Sequence, residues 1–258
     1  MAGLLMGAYG VLTYLFFFLT FLYAIAFVDD LPLAPKTLDS GVQGPLVPTL
    51  IVDALLLGLF AVQHSVMARP AFKRWWTKIV APPIERTTYV LLASAALVVM
   101  FVFWRPLAQP IWAVPPGPAA TSLLALSLVG WGVVLTSTFL ISHFELFGLT
   151  QVYQRMRGKT QSAPQFRTPG FYRLVRHPIY AGFIIAFWAT PRMTLGHLIF
   201  AIGTLGYIVI AIQLEEHDLI GVFGERYRTY RTQVGMLFPK LGGGRGSNVA
   251  SGSKLPQG

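Results

Sequence analysis

The sequence predicts an all-α fold, a polytopic membrane bundle of about six transmembrane helices. Of its 258 residues, 54% are hydrophobic and only 12% are charged, whereas a soluble domain carries roughly 25% charged residues. The mean hydropathy of +0.60 indicates the same class. Apolar runs of about 20 residues, the length that crosses a bilayer, recur along the chain. The length leaves room for one helical bundle and for no large soluble domain.

Six apolar runs account for this prediction, and they occupy residues 4–28, 49–67, 88–104, 121–141, 179–190 and 195–214. The fifth run has only about 12 residues, so it spans the bilayer only if it tilts or partly re-enters. The turn at 191–194 is tight, so the last two runs are predicted to form a helical hairpin. Asp53 lies inside the second run, where an acidic residue indicates either a functional group or a position near the outer interface.

Charge alternates between the loops that connect these runs. The loops at 68–87 and 142–178 are strongly basic, whereas the loop at 29–48 is acidic and the remaining two carry little charge. Cytoplasmic loops collect Lys and Arg, so both termini and a C-terminal helix are predicted to lie in the cytoplasm. The net charge of +10 is explained by basic loops that contact lipid phosphates. No nucleic-acid partner is predicted.

The chain is predicted to be one integral membrane domain over residues 1–240, with its chemistry in the half from about 142 to 240. Residues 241–258 are rich in Gly and Ser and are predicted to be a disordered tail. The absence of cysteine excludes disulfides, thiolate metal sites and a cysteine nucleophile. No metal site is predicted, and the oligomeric state is left open.

The first candidate site is the run 173–182, with Arg176, His177, Pro178, Tyr180 and Gly182. Proline at 178 suits the first turn of a helix and places His177 at its N-terminus. Free backbone N–H groups there favour an anionic ligand, and the neighbouring arginine adds a positive charge. Glycine at 182 lets a ligand or another backbone approach closely.

The second candidate site is the acidic run 215–218, which includes Glu215 and Glu216 and follows the sixth apolar run directly. We expect the helix to end here, where negative charge is unfavourable, and such a local conflict suggests function. Both open ends of the predicted hairpin lie on one side of the membrane. A ligand there would meet a cationic helix start and two carboxylates together, which suits a zwitterion.

A third segment follows at 223–231. Tyr227 and Tyr230 are three residues apart and share one helix face, with Arg228 and Arg231 on the neighbouring face. The pattern is typical of an amphipathic helix at the membrane surface. Such a helix would also cover the predicted site.

These motifs resemble a known family. The order Arg-His-Pro-x-Tyr-x-Gly, Glu-Glu, Phe-Gly-x-x-Tyr-x-x-Tyr and a later proline, over 173–239, is similar to the isoprenylcysteine carboxyl methyltransferase and phospholipid methyltransferase group. The segment 63–69, Gln-His-Ser-Val-Met-Ala-Arg, resembles the related NnrU branch. The segment 142–152 resembles a bacterial branch whose members convert methanethiol to dimethyl sulfide.

The resemblance implies S-adenosylmethionine as methyl donor and a small lipophilic thiol as acceptor, in the bacterial inner membrane with the active site facing the cytoplasm. It implies donor contacts from Arg176, His177, Pro178, Tyr180, Gly182, Glu215, Glu216, Tyr227, Arg228 and Tyr230. Candidate acceptors of the thiol proton are Glu216, His177 and His143. Candidate substrate contacts are His64, His143 and Phe144.

Three alternatives remain open at this point. The methyl acceptor could be a prenylated cysteine or a lipid, as in the wider group. The chain could be a haem-dependent isomerase like one relative of the NnrU branch, with His64 and His143 as an axial pair across two helices. A membrane scaffold without catalysis is the third alternative, but it leaves the acidic run and the Arg-His-Pro motif unexplained.

Overall fold

The computed structural model describes residues 2–159 and 165–240, and nearly all of its regular structure is helical. The elements are α1 (Ala2–Val28), α2 (Leu46–Ala68), α3 (Pro70–Trp76), α4 (Pro82–Phe103), β1 (Pro110–Ala113), α5 (Pro118–Ile141), α6 (His143–Leu146), α7 (Leu149–Met156), a 3-10 turn (Gly170–Arg173), α8 (Pro178–Trp188), β2 (Arg192–Thr194), α9 (Leu195–Phe223) and α10 (Glu225–Gln233). The predicted tail at 241–258 lies outside the described residues.

The helices confirm the predicted membrane bundle. Among the described residues, five helices (α1, α2, α4, α5 and α9) have the length and hydropathy of a membrane span. In α1 the side chains of Leu4, Leu12 and Leu19 are 71%, 66% and 65% exposed. A helix that exposes so many large aliphatic side chains is stable against lipid and not against water. The chain is an integral membrane protein.

The fifth apolar run forms a short helix. α8 has 11 residues, a length of about 16 Å at 1.5 Å per residue, whereas the hydrocarbon core is roughly 30 Å thick. Trp188 is the last residue of α8 because the chain then turns into the strand that precedes α9. The count of six spans and the cytoplasmic position of both termini stay predictions.

The sixth run is longer than the sequence predicts. α9 continues to Phe223, so the acidic run 215–218 lies inside the helix and the expected helix end at 214 is wrong. The helix continues because two of the three carboxylates are paired with cations of other elements: Arg69 binds Asp218 at 2.7 Å, and Arg176 binds Glu216 at 2.7 Å. Tertiary ion pairs therefore offset much of the local conflict with the helix dipole.

A two-stranded antiparallel sheet joins the loop before α5 to the turn before α9, and the sequence analysis did not predict it. β1 pairs with β2 so that Pro110 lies opposite Thr194 and Ala113 lies opposite Arg192. The indole N–H of Trp112 donates to the carbonyl oxygen of Thr190 at 3.1 Å. Strands of three or four residues show too little alternation to be recognised in a sequence.

The acidic groups at the end of the bundle that carries this sheet have structural partners. The Asp53 side chain is 1% exposed, and its Oδ1 accepts the backbone N–H of Arg105 at 2.9 Å. Asp53 thus stabilises the chain where α4 ends, and a buried carboxylate bound in this way has a structural explanation. The structure thus gives Asp53 a structural partner, and its position near the outer interface stays a prediction.

Asp29 gives a prediction of pH dependence. Its carboxylate accepts hydrogen bonds from the Ser127 hydroxyl at 2.6 Å and the Trp131 indole N–H at 3.0 Å. Burial raises the pKa of Asp29 above its usual value, although both hydrogen bonds act against this rise. A raised pKa in the folded state means that this carboxyl favours folding at low pH and loses that contribution as pH rises through the folded pKa.

Asp29→Asn is therefore expected to raise the unfolding temperature at pH 7 and to flatten its pH dependence. The new amide can accept from Trp131 and donate to Ser127, whose hydroxyl also donates to the carbonyl oxygen of Ala186 at 2.9 Å. Thermal unfolding in detergent micelles between pH 4 and 8 measures both effects. An asparagine variant with the same pH profile as the unaltered protein would contradict this prediction.

Candidate functional site

The candidate site lies at the end of the bundle where α2 ends and α4 begins, which we call the basic end. The chain before α8 is fixed by the chain after α10: the N–H of Arg176 donates to the Gly235 carbonyl at 2.8 Å, and that of His177 to the Met236 carbonyl at 3.1 Å. His177 is the N-cap of α8, with Pro178 in the first turn as predicted. Backbone pairing on one side and a proline on the other hold these two side chains in place.

Four charged or ionisable side chains meet here and form what we call the Glu216 cluster: Arg176, His177, Glu216 and Arg231. Glu216 Oε1 accepts from Arg176 Nε at 2.7 Å and lies 3.1 Å from His177 Nε2. Glu216 Oε2 lies 3.1 Å from Arg231 Nε. A buried carboxylate is tolerated only when it is paired and hydrogen-bonded, as this one is. The cluster ties α8, α9 and α10 together, so the two predicted constellations do meet.

Glu215 differs from its neighbour because its carboxylate is open. The Glu215 side chain is 43% exposed, and its Oε2 lies 3.9 Å from Nδ1 of His177. The Tyr180 hydroxyl lies close to the same carboxylate. Glu215 therefore presents negative charge to any ligand at the start of α8, while Glu216 is saturated by protein partners.

The helix α10 covers the cluster, as the sequence predicts. Tyr227 and Tyr230 are both buried, and the Tyr230 hydroxyl donates to the carbonyl oxygen of Tyr172 at 2.5 Å. Burial raises the pKa of Tyr230 to about 12, so the phenol stays neutral and acts as a donor. Phe166 packs its ring edge against Tyr230, with ring centroids 5.4 Å apart. The predicted cover, α10, is therefore packed against the residues around the Glu216 cluster.

Two predicted donor contacts have other partners in the structure. Arg228 pairs with Glu225, and these side chains are 58% and 87% exposed. The sequence analysis placed Arg231 beside Arg228 but did not include it in the site. In the structure Arg231, and not Arg228, binds Glu216. Gly182 lies against α5, where an added Cβ would come within 2.7 Å of the Gly130 carbonyl oxygen. Close packing of α5 and α8 therefore explains this glycine without a ligand.

His143 is a saturated structural residue. Thr138 donates its hydroxyl proton to the Leu135 carbonyl at 2.7 Å, so His143 Nδ1 must donate to Thr138 Oγ1, 2.7 Å away. Nε2 then accepts from the Tyr14 hydroxyl at 2.8 Å. Burial also lowers the pKa of His143, which keeps the ring neutral. Neither nitrogen is left for a thiol proton or for haem iron.

Of the other two predicted substrate residues, His64 lies apart from His143 and Phe144 contacts it. His64 packs in a separate group with Tyr89, whose hydroxyl is 2.9 Å from its Nε2, so the pair of histidines needed for an axial haem does not form. Phe144 is 51% exposed and has its ring edge toward His143. His64 also contacts Tyr207 of α9, the helix that carries Glu216, with ring centroids 6.4 Å apart.

The comparisons with known proteins identify the family. The family model described as NnrU protein matches residues 53–240. The chain belongs to the NnrU family. The matched range contains every residue of the Glu216 cluster and both tyrosines of its cover. No solved structure matches the chain significantly.

Several known proteins are similar to this chain. Methanethiol S-methyltransferase 1 of Bradyrhizobium diazoefficiens is 54% identical, over 90% of this chain and 81% of the relative. Methanethiol S-methyltransferase of Mycobacterium tuberculosis is 53% identical, over 90% of this chain and 94% of the relative. Nurim of Bos taurus is more distant, at 29% identity over 69% of this chain. The resemblance stated from the motifs is confirmed.

Some residues near the site were not predicted. Tyr207 and Tyr89 lie around His64, and Arg69 joins α2 to α9 through Asp218. Polar residues within apolar runs are a functional signal in a sequence, and both tyrosines lie within such runs. Their convergence depends on the packing of three helices that are distant in sequence, so spacing alone does not show it.

Proposed function

We propose that the chain is an S-adenosylmethionine-dependent methyltransferase that converts methanethiol to dimethyl sulfide. The observation that carries the proposal is the open Glu215 carboxylate beside the start of α8, in a chain 53–54% identical to two enzymes named for this reaction. The basic loops support a site that faces the cytoplasm from the bacterial inner membrane.

The residues at the site fit the donor. The donor carries a carboxylate, an ammonium and a sulfonium, and bound there it would supply an activated methyl group. The first turn of α8 leaves backbone N–H groups without intrahelical acceptors, which suits a carboxylate. The half-exposed Glu215 suits a positive centre, and Tyr180 adds a hydroxyl group. Arg176 and Glu216 bind each other, so they act by positioning His177.

The geometry favours His177 among the three predicted proton acceptors. Glu216 is held by Arg176 and Arg231, and both nitrogens of His143 are occupied. His177 donates its Nε2 proton to Glu216, so in the neutral ring Nδ1 carries a lone pair. His177 Nδ1 would accept the proton that the thiol sulfur loses as it takes the methyl group, while the bond from that methyl group to the sulfonium sulfur breaks and the donor leaves as a neutral thioether. The neighbouring Glu215 carboxylate stabilises the resulting imidazolium.

A direct assay tests the proposed function. Purified protein in lipid nanodiscs, supplied with S-adenosylmethionine and methanethiol, is expected to release dimethyl sulfide, measured by headspace gas chromatography. S-adenosylhomocysteine should form in equal amount, because each transfer consumes one donor. Empty nanodiscs are the control.

Two outcomes would contradict the proposal in different ways. A folded protein that binds the donor but forms no dimethyl sulfide would show that the acceptor is wrong, and prenylcysteine and lipid acceptors would then be assayed. A folded protein that does not bind the donor would contradict the methyltransferase assignment itself.

A further inference from the structure

A groove runs between α2 and α9 at the level of the hydrocarbon core. Its volume is about 340 Å³, roughly ten times the 30 Å³ that one water molecule occupies in the liquid. The groove exists because the residues that line it there have small side chains or none: Gly58, Ala61, Gly203 and Gly206. Gly203 and Gly206 are exposed on the outer surface of α9, so the groove is open to lipid along its length.

The groove ends at an aromatic group that leads to the Glu216 cluster. Phe60 and Tyr207 meet edge to face at its inner end, with ring centroids 6.1 Å apart. The Phe60 ring also stacks on His64, with centroids 5.1 Å apart. The Tyr207 hydroxyl lies near Ser65, and Glu215 follows about two turns later on the same helix, α9. Tyr207 thus forms part of the wall of a lipid-facing groove and lies on the helix that carries Glu215 of the proposed donor site.

We propose that this groove is the path by which a small apolar thiol enters from the bilayer and the thioether product leaves. The inference rests on the proposed function. An uncharged alkyl thiol is enriched in lipid relative to water, so an entrance at membrane depth meets it at high local concentration. Polar side chains inside a membrane span are costly and mark functional paths. Tyr207 and His64 occupy such positions where the groove meets the site.

Filling the groove tests the path. Gly206→Leu and Gly58→Leu place a side chain in open space, because an added Cβ at either position has no atom within 4 Å. Each variant is expected to raise the KM for methanethiol by about tenfold or more, because the acceptor must pass a narrowed entrance. The affinity for S-adenosylmethionine, measured by calorimetry, should not change.

Gly132→Leu is the matched control. Gly132 lies on α5, is exposed, and also leaves an added Cβ without neighbours within 4 Å, so its KM should equal that of the unaltered protein. An unchanged KM in both groove variants would contradict the path while leaving the proposed function intact. An unaltered protein that makes no dimethyl sulfide would instead contradict the proposed function.

A second measurement does not depend on turnover. The chain has no cysteine, so Gly206→Cys and Gly132→Cys each introduce a single thiol. A small trifluoroethylthio group can be attached to either thiol in detergent, before the protein is transferred to nanodiscs, because a thiol in lipid stays protonated and does not react. Dimethyl sulfide should shift the fluorine-19 resonance at position 206 only, because it occupies the groove there. An unchanged resonance at 206 on addition of dimethyl sulfide would contradict occupancy of the groove.

Discussion

Glu216→Gln is expected to abolish detectable donor binding and to lower the stability of the protein. The Glu216 and Arg176 side chains are each 7% exposed, so the substitution leaves buried positive charge without its partner. Breaking a buried ion pair by removing one member costs about 3–5 kcal/mol. The charged acceptor that fixes the tautomer of His177 is also replaced by a neutral amide oxygen, which accepts more weakly. Calorimetry with S-adenosylmethionine and thermal unfolding in nanodiscs measure the two effects.

Two other glutamates provide the comparison. Glu225→Gln removes an exposed pair with Arg228, and we expect both donor affinity and unfolding temperature to stay unchanged. Glu215→Gln should weaken donor binding without loss of stability, because its carboxylate is open and binds no buried cation. Full donor affinity in Glu216→Gln would remove the cluster from the site.

Gly182→Val is the second substitution with a large expected effect. The added Cβ would come within 2.7 Å of the Gly130 carbonyl oxygen and 2.9 Å of the Val134 nitrogen. Backbone atoms cannot move aside cheaply, so α5 and α8 must separate, at a cost of about 3 kcal/mol or more. We expect little folded protein, measured as the monodisperse fraction after purification and as a lower unfolding temperature.

Gly132→Val controls for the effect of valine in a helix, because nothing lies within 4 Å of the added Cβ. This variant should purify like the unaltered protein. If Gly182→Val were as stable as the control and lost only donor affinity, Gly182 would belong to the donor surface, as the family resemblance implies.

The sequence was sufficient to predict the membrane class, the helical hairpin and the meeting of residues 176–177 with 215–216. These features depend on long apolar runs and on short, ordered motifs, which are local properties of the chain. The extension of α9 beyond 214 was not predictable in the same way. Whether a helix continues through consecutive acids depends on cations from elsewhere, here Arg176, Arg231 and Arg69.

The sequence also could not show that Glu215 is open to a ligand while Glu216 is paired inside the protein. Glu215 and Glu216 are adjacent and chemically alike, so either one could have faced a ligand. A helix turns by about 100° per residue, which directs one side chain to the cluster and the other to the open side. For the same reason the spacing of Arg228 and Arg231 did not show which of them binds Glu216.

The hydrogen bonds from Arg176 and His177 to residues 235 and 236 have a consequence for biosynthesis. The ribosome adds Gly235 and Met236 about 60 residues after Arg176 and His177, whose positions they fix in the proposed donor site. A nascent chain that has inserted all its apolar helices still lacks Arg231 and the segment that orders the start of α8. The proposed site is therefore complete only after residue 236 has been made, and a product truncated before residue 231 is expected to insert into the membrane without gaining a working site.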